Sequence, residues 1–335
     1  MRHEQHGYNR RHEIDFIHHG SSWNGSLNQQ ALVRVSYGSQ GVVELQDGRH
    51  QRCKYRRSVG RPYCGDQVMI EDAGDHSTVV SAILPRRNVF MRADARQRKQ
   101  VIAANLDQVL VVVAPRPEPS RDLVERYLVA VHSLGIKPVI VLNKVELMAT
   151  AVLSEDSPLF NLDDYRELGY QVLETSCKTA PGIAALESVL HDRTSILVGQ
   201  SGVGKSSLAN NLIPDLELQT GELSRVTGKG THTTTTTIMY NLPGDGYNLP
   251  GDGYSLPGGG RLIDSPGVWE YGLWQMEQGD LAHGFIEFAP FLGHCKFNDC
   301  RHDSEPQCAV QAAVEAGNLE ARRYQSYLRL LKQSG

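Results

Sequence analysis

Gly199-Gln200-Ser201-Gly202-Val203-Gly204-Lys205-Ser206 reads as a phosphate loop, and it stands after Asn143-Lys144-Val145-Glu146 and Ser176-Cys177-Lys178 in the chain, not before them. Residues 195–198 form the short apolar strand that feeds the loop, and residues 206–212 continue as its helix. Glycines in such a loop let backbone N–H groups face phosphate oxygens at a helix N-terminus. Lys205 reaches the β and γ phosphates, and Ser206 offers a hydroxyl to Mg2+, with Ser207 beside it in the binding set. An open α/β sheet assembles its ligand site from loops at the carboxyl ends of several strands, so the site survives a change in the order in which the chain visits them. The motif order therefore predicts an α/β fold with a circularly permuted P-loop domain.

The upstream motifs concern the base. A carboxylate at the fourth position of Asn143-Lys144-Val145-Glu146 accepts hydrogen bonds from guanine N1 and its exocyclic amine, a donor pair that adenine lacks. Glu146 stands where Asp is commoner and adds one methylene. Ser176-Cys177-Lys178 takes the place of S-A-K, whose backbone faces the base O6. Downstream, Asp264-Ser265-Pro266-Gly267 follows a strand over residues 261–263. Asp264 suits Mg2+ held through water, and the Gly267 amide suits a γ phosphate.

A threonine run at residues 231–237, after Gly228-Lys229-Gly230, offers the hydroxyl that completes Mg2+ coordination. The candidates are residues 233–235, represented by Thr234, while Thr236 onward reads as strand. The residue after Gly267 is Val268. An aliphatic side chain cannot orient an attacking water as a glutamine does there in Ras-type enzymes. Intrinsic hydrolysis should then be slow unless another group or a partner completes the site. His232 is the first candidate, and a structural loop histidine is an equal reading; with Lys205 it makes up the catalytic candidates.

Composition sets the frame. The chain has 335 residues, 40% of them hydrophobic, and a net charge of −4. That length suits two or three domains, and the charge argues against a simple polyanion binder. Basic residues are nevertheless bunched at Arg49, Arg52, Lys54, Arg56, Arg57 and Arg61, and again over residues 86–99. Such patches bind phosphates, although a solvated barrel face explains them equally well. There is no apolar run of membrane-spanning length and no apolar core to the N-terminus, so a cytoplasmic protein without a membrane partner is expected.

Residues 1–30 carry no hydrophobic period and read as a mobile tail. Short apolar stretches between turn signals over residues 32–84 suggest an OB-fold barrel. A βαβ unit follows: strands at 109–114 and 138–142 flank a helix capped by Ser120 and ended by Gly135. Residues 154–164 read as a polar, acidic insertion. Residues 240–260 repeat Tyr-Asn-Leu-Pro-Gly-Asp-Gly twice and close on a variant, which reads as an expanded loop and not a core element.

Six cysteines divide into Cys53, Cys64 and Cys177, expected as reduced thiols, and a cluster of Cys295, Cys300 and Cys308 that with His302 spells C-x4-C-x-H-x5-C. Three thiolates and an imidazole satisfy a closed, tetrahedral structural zinc site. Free thiols, a disulfide and an iron–sulfur cluster are the other readings. Apolar periodicity after Cys308 marks helices, and Arg322, Arg323 and Arg329 read as a solvated basic face.

Taken together, these residues resemble the bacterial ribosome small subunit-dependent GTPases of the RsgA/YjeQ family. The resemblance rests on Arg56-Arg57-Ser58-Val59-Gly60-Arg61-Pro62, the permuted motifs, Gly230-Thr231-His232-Thr233-Thr234-Thr235, Asp264-Ser265-Pro266-Gly267-Val268 and the cysteine knuckle. It implies an OB-fold at 31–90, a permuted GTPase domain at 91–272 and a zinc-binding domain with C-terminal helices at 273–335. It further implies late maturation of the 30S subunit, contact with 16S rRNA, subunit-stimulated GTP hydrolysis to GDP with Mg2+, one structural Zn2+, a monomer, and a catalytic histidine at His232. Glu146 and the three-copy repeat depart from the family pattern and suggest a diverged paralogue. Two competing readings are an RNA-binding scaffold with an inactive nucleotide site and an ATP-using P-loop enzyme.

Overall fold

Alternating apolar residues build a curved sheet with a single buried face, and the first five strands of this chain close on themselves to shield theirs. The computed structural model describes residues 28–73, 77–93, 99–179, 181–213, 216, 237–243, 259–264 and 278–333. Strands β1 (Gln29–Tyr37), β2 (Gln40–Glu44), β3 (His50–Tyr55), β4 (Gln67–Asp72) and β5 (Thr78–Ile83) pair in the order β1-β2-β3-β5-β4, and β4 returns to β1. The β3–β5 pairing is parallel and the others are antiparallel. This is the expected OB-fold barrel, filled by Val33, Val43, Cys53, Val68 and Val80. Strand β3 has too little apolar signal to be read from sequence. Only Cys53 in His50-Gln51-Arg52-Cys53-Lys54-Tyr55 is buried, because the outer face of the barrel carries the rest.

A hairpin of β6 (Val89–Ala93) and β7 (Lys99–Ala104) leads away from the barrel. Sequence reading treated this stretch only as a basic patch. Phe90, Ile102 and Ala103 anchor it in the main core, and Ala103 bridges to Cys64 of the barrel.

The nucleotide-motif domain contains β8 (Gln108–Val113), α1 (Arg121–Ser133), β9 (Lys137–Asn143), α2 (Leu162–Glu167), β10 (Gln171–Thr175), α3 (Ile183–Leu190), β11 (Thr194–Val198), α4 (Lys205–Leu212), β12 (Ile238–Asn241) and β13 (Arg261–Asp264). Its strands lie in the order β10-β9-β8-β11-β13-β12. All neighbours are parallel except β12, which runs antiparallel to β13. The carboxyl ends of β9, β10, β11 and β13 therefore share one edge, and each ends at a sequence motif. Strand β12 also meets β1 at Val35 and Ile238, so barrel and domain form one continuous sheet.

Ser120 caps α1 by accepting from the Leu123 amide at 3.3 Å, as its sequence predicts. The segment 154–164 is less of an excursion than its polarity suggests. Leu159 and Leu162 are buried in the main core, and the neighbouring Tyr165 hydroxyl donates to Glu125 at 2.8 Å. The repeat reading also needs trimming at its start: Tyr240 lies in β12 and is 5% exposed. Residues 244–258 of the repeat fall outside the described residues.

Helices α5 (Gln278–Gly284), α6 (Ala309–Glu315) and α7 (Ala321–Gln333) close the chain. Their core stacks Phe285, Phe288, Tyr324 and Tyr327 against Val129 and Ala130 of α1. The basic face of α7 is solvated only in part: Arg322 and Arg329 are 40% and 42% exposed, whereas Arg323 is 3% exposed. Arg323 is buried and pairs with Glu125 and Glu287, Arg329 pairs with Asp122 at 2.8 Å, and Arg322 pairs with Asp164. Asp122, Glu125 and Asp164 of the nucleotide-motif domain come within their reach because α7 packs on α1. No helix among the described residues is long and apolar enough to cross a membrane.

Candidate nucleotide and metal sites

The loop after β11 is shaped by glycines that no other residue could replace without rearrangement. Gly199 has φ 134° and Gly204 φ 97°. A Cβ on Gly199 would overlap the Val112 carbonyl oxygen, and one on Gly204 would overlap the Asn143 amide nitrogen. The phosphate loop is thus packed directly against the base-reading motif. Asn143 is 1% exposed, and its Nδ2 donates to the Val203 carbonyl at 2.9 Å. Its Oδ1 accepts from the Thr175 hydroxyl at 3.2 Å. One buried carboxamide so joins the ends of β9, β10 and β11.

Lys144 adopts a left-handed conformation, φ 60°. Its ammonium donates to the carbonyl of Gly202 and, at 3.1 Å, to that of Arg116. Its stem therefore lies across the phosphate loop. Ser176 is fully buried and its Oγ accepts from the Lys178 and Thr179 amides, each at 3.1 Å. That turn sets the path of Ser176-Cys177-Lys178. The Ser176 hydroxyl also hydrogen-bonds Glu146 and, with Lys178 and Lys144 nearby, holds its carboxyl below the ordinary range. Glu146 Oε2 is screened from solvent and has no hydrogen-bond partner among the described residues. An ionised carboxylate with one oxygen left over in that position fits the N1–H and amine of guanine, and adenine has no donor pair to offer it.

Lys205 opens α4, and its Nζ donates to the Gln200 carbonyl at 2.6 Å. Burial lowers its ammonium to about 8, although Asp264 at the end of β13 pulls in the other direction. A partly desolvated cation at the start of a helix suits a phosphate. Asp264, exposed at the strand end beside it, is placed to hold Mg2+, which would supply charge neutralisation between the β and γ phosphates. Ser206 and Ser207 follow Lys205 in the first turn of α4. The candidates His232, Thr234 and Gly267, and Val268 with them, lie outside the described residues.

Sequence reading missed Thr175 and Arg116. Thr175 precedes Ser176 directly and carries a hydroxyl, so its position was a usable signal. Arg116 contributes a backbone carbonyl, which no residue identity reveals.

The cysteine knuckle converges. Ligand atoms of Cys295, Cys300, His302 and Cys308 all lie within 4.8 Å of one another. Cys295 Sγ and Cys308 Sγ are each 3.4 Å from His302 Nδ1 and 3.9 Å from each other. A tetrahedron with Zn–S of about 2.3 Å and Zn–N of about 2.0 Å has edges of roughly 3.5–3.8 Å, so the donor set fits zinc. The Ala309 amide donates to Cys295 Sγ at 3.3 Å, and the Tyr324 and Tyr327 hydroxyls donate to the carbonyls of His302 and Arg301. These outer contacts tie the knuckle to α6 and α7.

Comparison with known proteins agrees with this arrangement. A family model described as RsgA GTPase matches residues 83–274. Small ribosomal subunit biogenesis GTPase RsgA of Chromohalobacter salexigens is 43% identical over 309 residues, spanning 90% of this chain and 86% of that protein. Its namesake from Hahella chejuensis is 42% identical over 309 residues, spanning 91% and 84%. The crystal structure of YjeQ from Thermotoga maritima superposes with a TM-score of 0.69 at 29% identity, covering 92% of this chain and 99% of that one. YloQ, a circularly permuted GTPase, gives a TM-score of 0.67 over 94% and 98%, and at 24% identity it bears on the fold alone. A family model that matches more than half of the chain, and relatives above 40% identity over about nine-tenths of it, leave one conclusion: this chain belongs to the RsgA GTPase family.

Proposed function

We propose that this protein is a GTPase that binds the 30S ribosomal subunit during late maturation and hydrolyses GTP to GDP and phosphate when the subunit engages it. The observation that carries the reading is the joint between base and phosphate motifs, in which Asn143 rests on the phosphate loop while Glu146 keeps an unpaired, ionised acceptor. In this scheme Asn143, Lys144, Val145, Glu146 and the turn Ser176-Cys177-Lys178 hold the guanine. The loop from Gly199 to Ser207 holds the phosphates, with Lys205 on the β and γ oxygens. Thr234, Asp264 and Gly267 complete the Mg2+ and γ-phosphate contacts, and His232 orients the water that attacks the γ phosphorus as the bond to the bridging oxygen breaks.

Cys295, Cys300, His302 and Cys308 hold one structural Zn2+. The exposed basic residues of β3 and the knuckle face 16S rRNA, in a cytoplasmic monomer built from segments 31–90, 91–272 and 273–335 after a tail at 1–30. Support for the ribosomal role comes from the relatives, which carry small-subunit biogenesis in their names.

Turnover measured alone, with small subunits and with large subunits tests the reading. Strong stimulation by small subunits only is expected. GTP binding without any stimulation would replace the proposal with an RNA-bound scaffold.

A further inference from the structure

A charged network buried at the junction of barrel and nucleotide domain serves neither the barrel core nor the nucleotide pocket directly. Arg34, on β1, is 1% exposed. Its Nε and Nη2 donate to the Met239 carbonyl of β12 at 3.0 and 2.6 Å, and its Nη1 donates to Asn241 Oδ1 at 2.5 Å. The same Nη1 donates to Glu44 of β2, itself 4% exposed. Glu44 in turn faces Arg261 of β13 at 3.7 Å and His50 of β3 at 3.6 Å. Five strands adjacent in the sheet, β3, β2, β1, β12 and β13, thus each contribute a group to one connected polar network.

The position of this network matters more than its strength. Asn241 pairs with Arg261 and Ile238 with Asp264 across the β12–β13 ladder. The network grips the Asn241–Arg261 end of the ladder. The opposite end, three residues or about 10 Å away, carries Asp264 paired with Ile238. Direct β1–β12 pairing is limited to Val35 with Ile238, so backbone pairing alone would leave the ladder free to pivot on the barrel. A fully buried guanidinium with four bonds fixes that angle, because breaking any one of them strands a buried polar group.

We propose that Arg34 is a positioning residue for the nucleotide site: with Glu44 it clamps the β12–β13 ladder to the barrel, so that Asp264 at the end of β13 is placed by the barrel's own position. Anything that shifts the barrel, such as a polyanion gripping the exposed Arg52 and Lys54 of β3, moves Asp264, which would hold Mg2+, and leaves the base pocket on β9 and β10 untouched. The inference rests on the nucleotide-site reading above.

The full-length protein tests it through three variants: Arg34→Met, Arg34→Lys and Asn241→Ala. Asn241 is half-buried, and its replacement leaves the Arg34–Glu44 pair in place, so this variant covers the case in which Arg34→Met fails to fold. GDP and GTP affinities in the presence of Mg2+, and kcat with and without small subunits, are the readouts. The expected result is GDP affinity within about twofold of the parent, and a fall of at least about fivefold in the GTP-to-GDP affinity ratio and in stimulated kcat for Arg34→Met and Asn241→Ala. Arg34→Lys, which keeps the charge and loses the fork, should fall between. Folded variants whose ratio and kcat match the parent overturn the clamp, as does an equal loss of both nucleotides. A parent protein that binds neither nucleotide instead refutes the site reading, and the clamp with it.

Discussion

Replacing Arg323 with methionine should detach the C-terminal helices from the nucleotide domain at a large and calculable cost. Arg323 is 3% exposed and lies between Glu125, fully buried on α1, and Glu287, 9% exposed. Its Nε and Nη2 reach the two Glu287 oxygens at 2.5 and 3.1 Å, while Nη1 pairs with Glu125. The guanidinium also sits 4.8 Å from the Phe285 ring centroid. Methionine fills much of the volume but leaves the buried Glu125 carboxylate without its cation, next to Glu287, which burial already raises to about 7. Breaking a buried pair from one side costs about 3–5 kcal/mol, because the partner's desolvation is no longer offset. At roughly 2–4 °C per kcal/mol for a domain of this size, the melting temperature should fall by roughly 6–20 °C.

Calorimetry or circular dichroism would read that change. Adding Glu125→Gln and Glu287→Gln to Arg323→Met should recover more than half of the loss, since amides carry no charge to strand. A shift below about 2 °C for the single variant, or losses that simply add in the triple, would refute the reasoning.

Gly204→Ala combines left-handed strain of about 1–2 kcal/mol with displacement of the buried Asn143 amide, worth about 1–3 kcal/mol. GDP binding should weaken by at least about thirtyfold, read by fluorescent-nucleotide titration, and an unchanged affinity would show that the two motifs are not packed together. Burial lowers Lys205 to about 8 from 10.5, so between those values the unfolded chain holds a proton that the ligand-free folded chain has released, and ligand-free stability should rise with pH across the window. Bound phosphates restore the proton. Affinity should therefore fall by up to about tenfold per pH unit above pH 8, with proton uptake visible by calorimetry in buffers of different ionisation enthalpy and absent in Lys205→Arg. Metal analysis should find one zinc per chain, and Cys308→Ser should lower both zinc content and the helicity contributed by α6 and α7; full helicity without metal would argue against a structural ion.

The sequence by itself determined whatever depends on residue type at close spacing. The phosphate loop needs glycines and Lys205 within eight residues, the knuckle needs Cys295, Cys300, His302 and Cys308 within fourteen, and β8 and β9 are continuous apolar runs. Such signals are local, so permutation of the motifs does not blur them. Strand β3 was hidden because a barrel's outer face is polar, and the insertion at 154–164 hid two core leucines among acidic residues.

Tertiary structure alone decided the meaning of lone charges. Arg323 reads in the sequence as part of a solvated basic face and Arg34 as one polar residue in an apolar stretch, and nothing within ten positions names their partners on β12 and α1. An arginine's role follows from which carboxylates and carbonyls the fold brings within hydrogen-bond reach and whether water is excluded there, and both are properties of segments far apart in the chain.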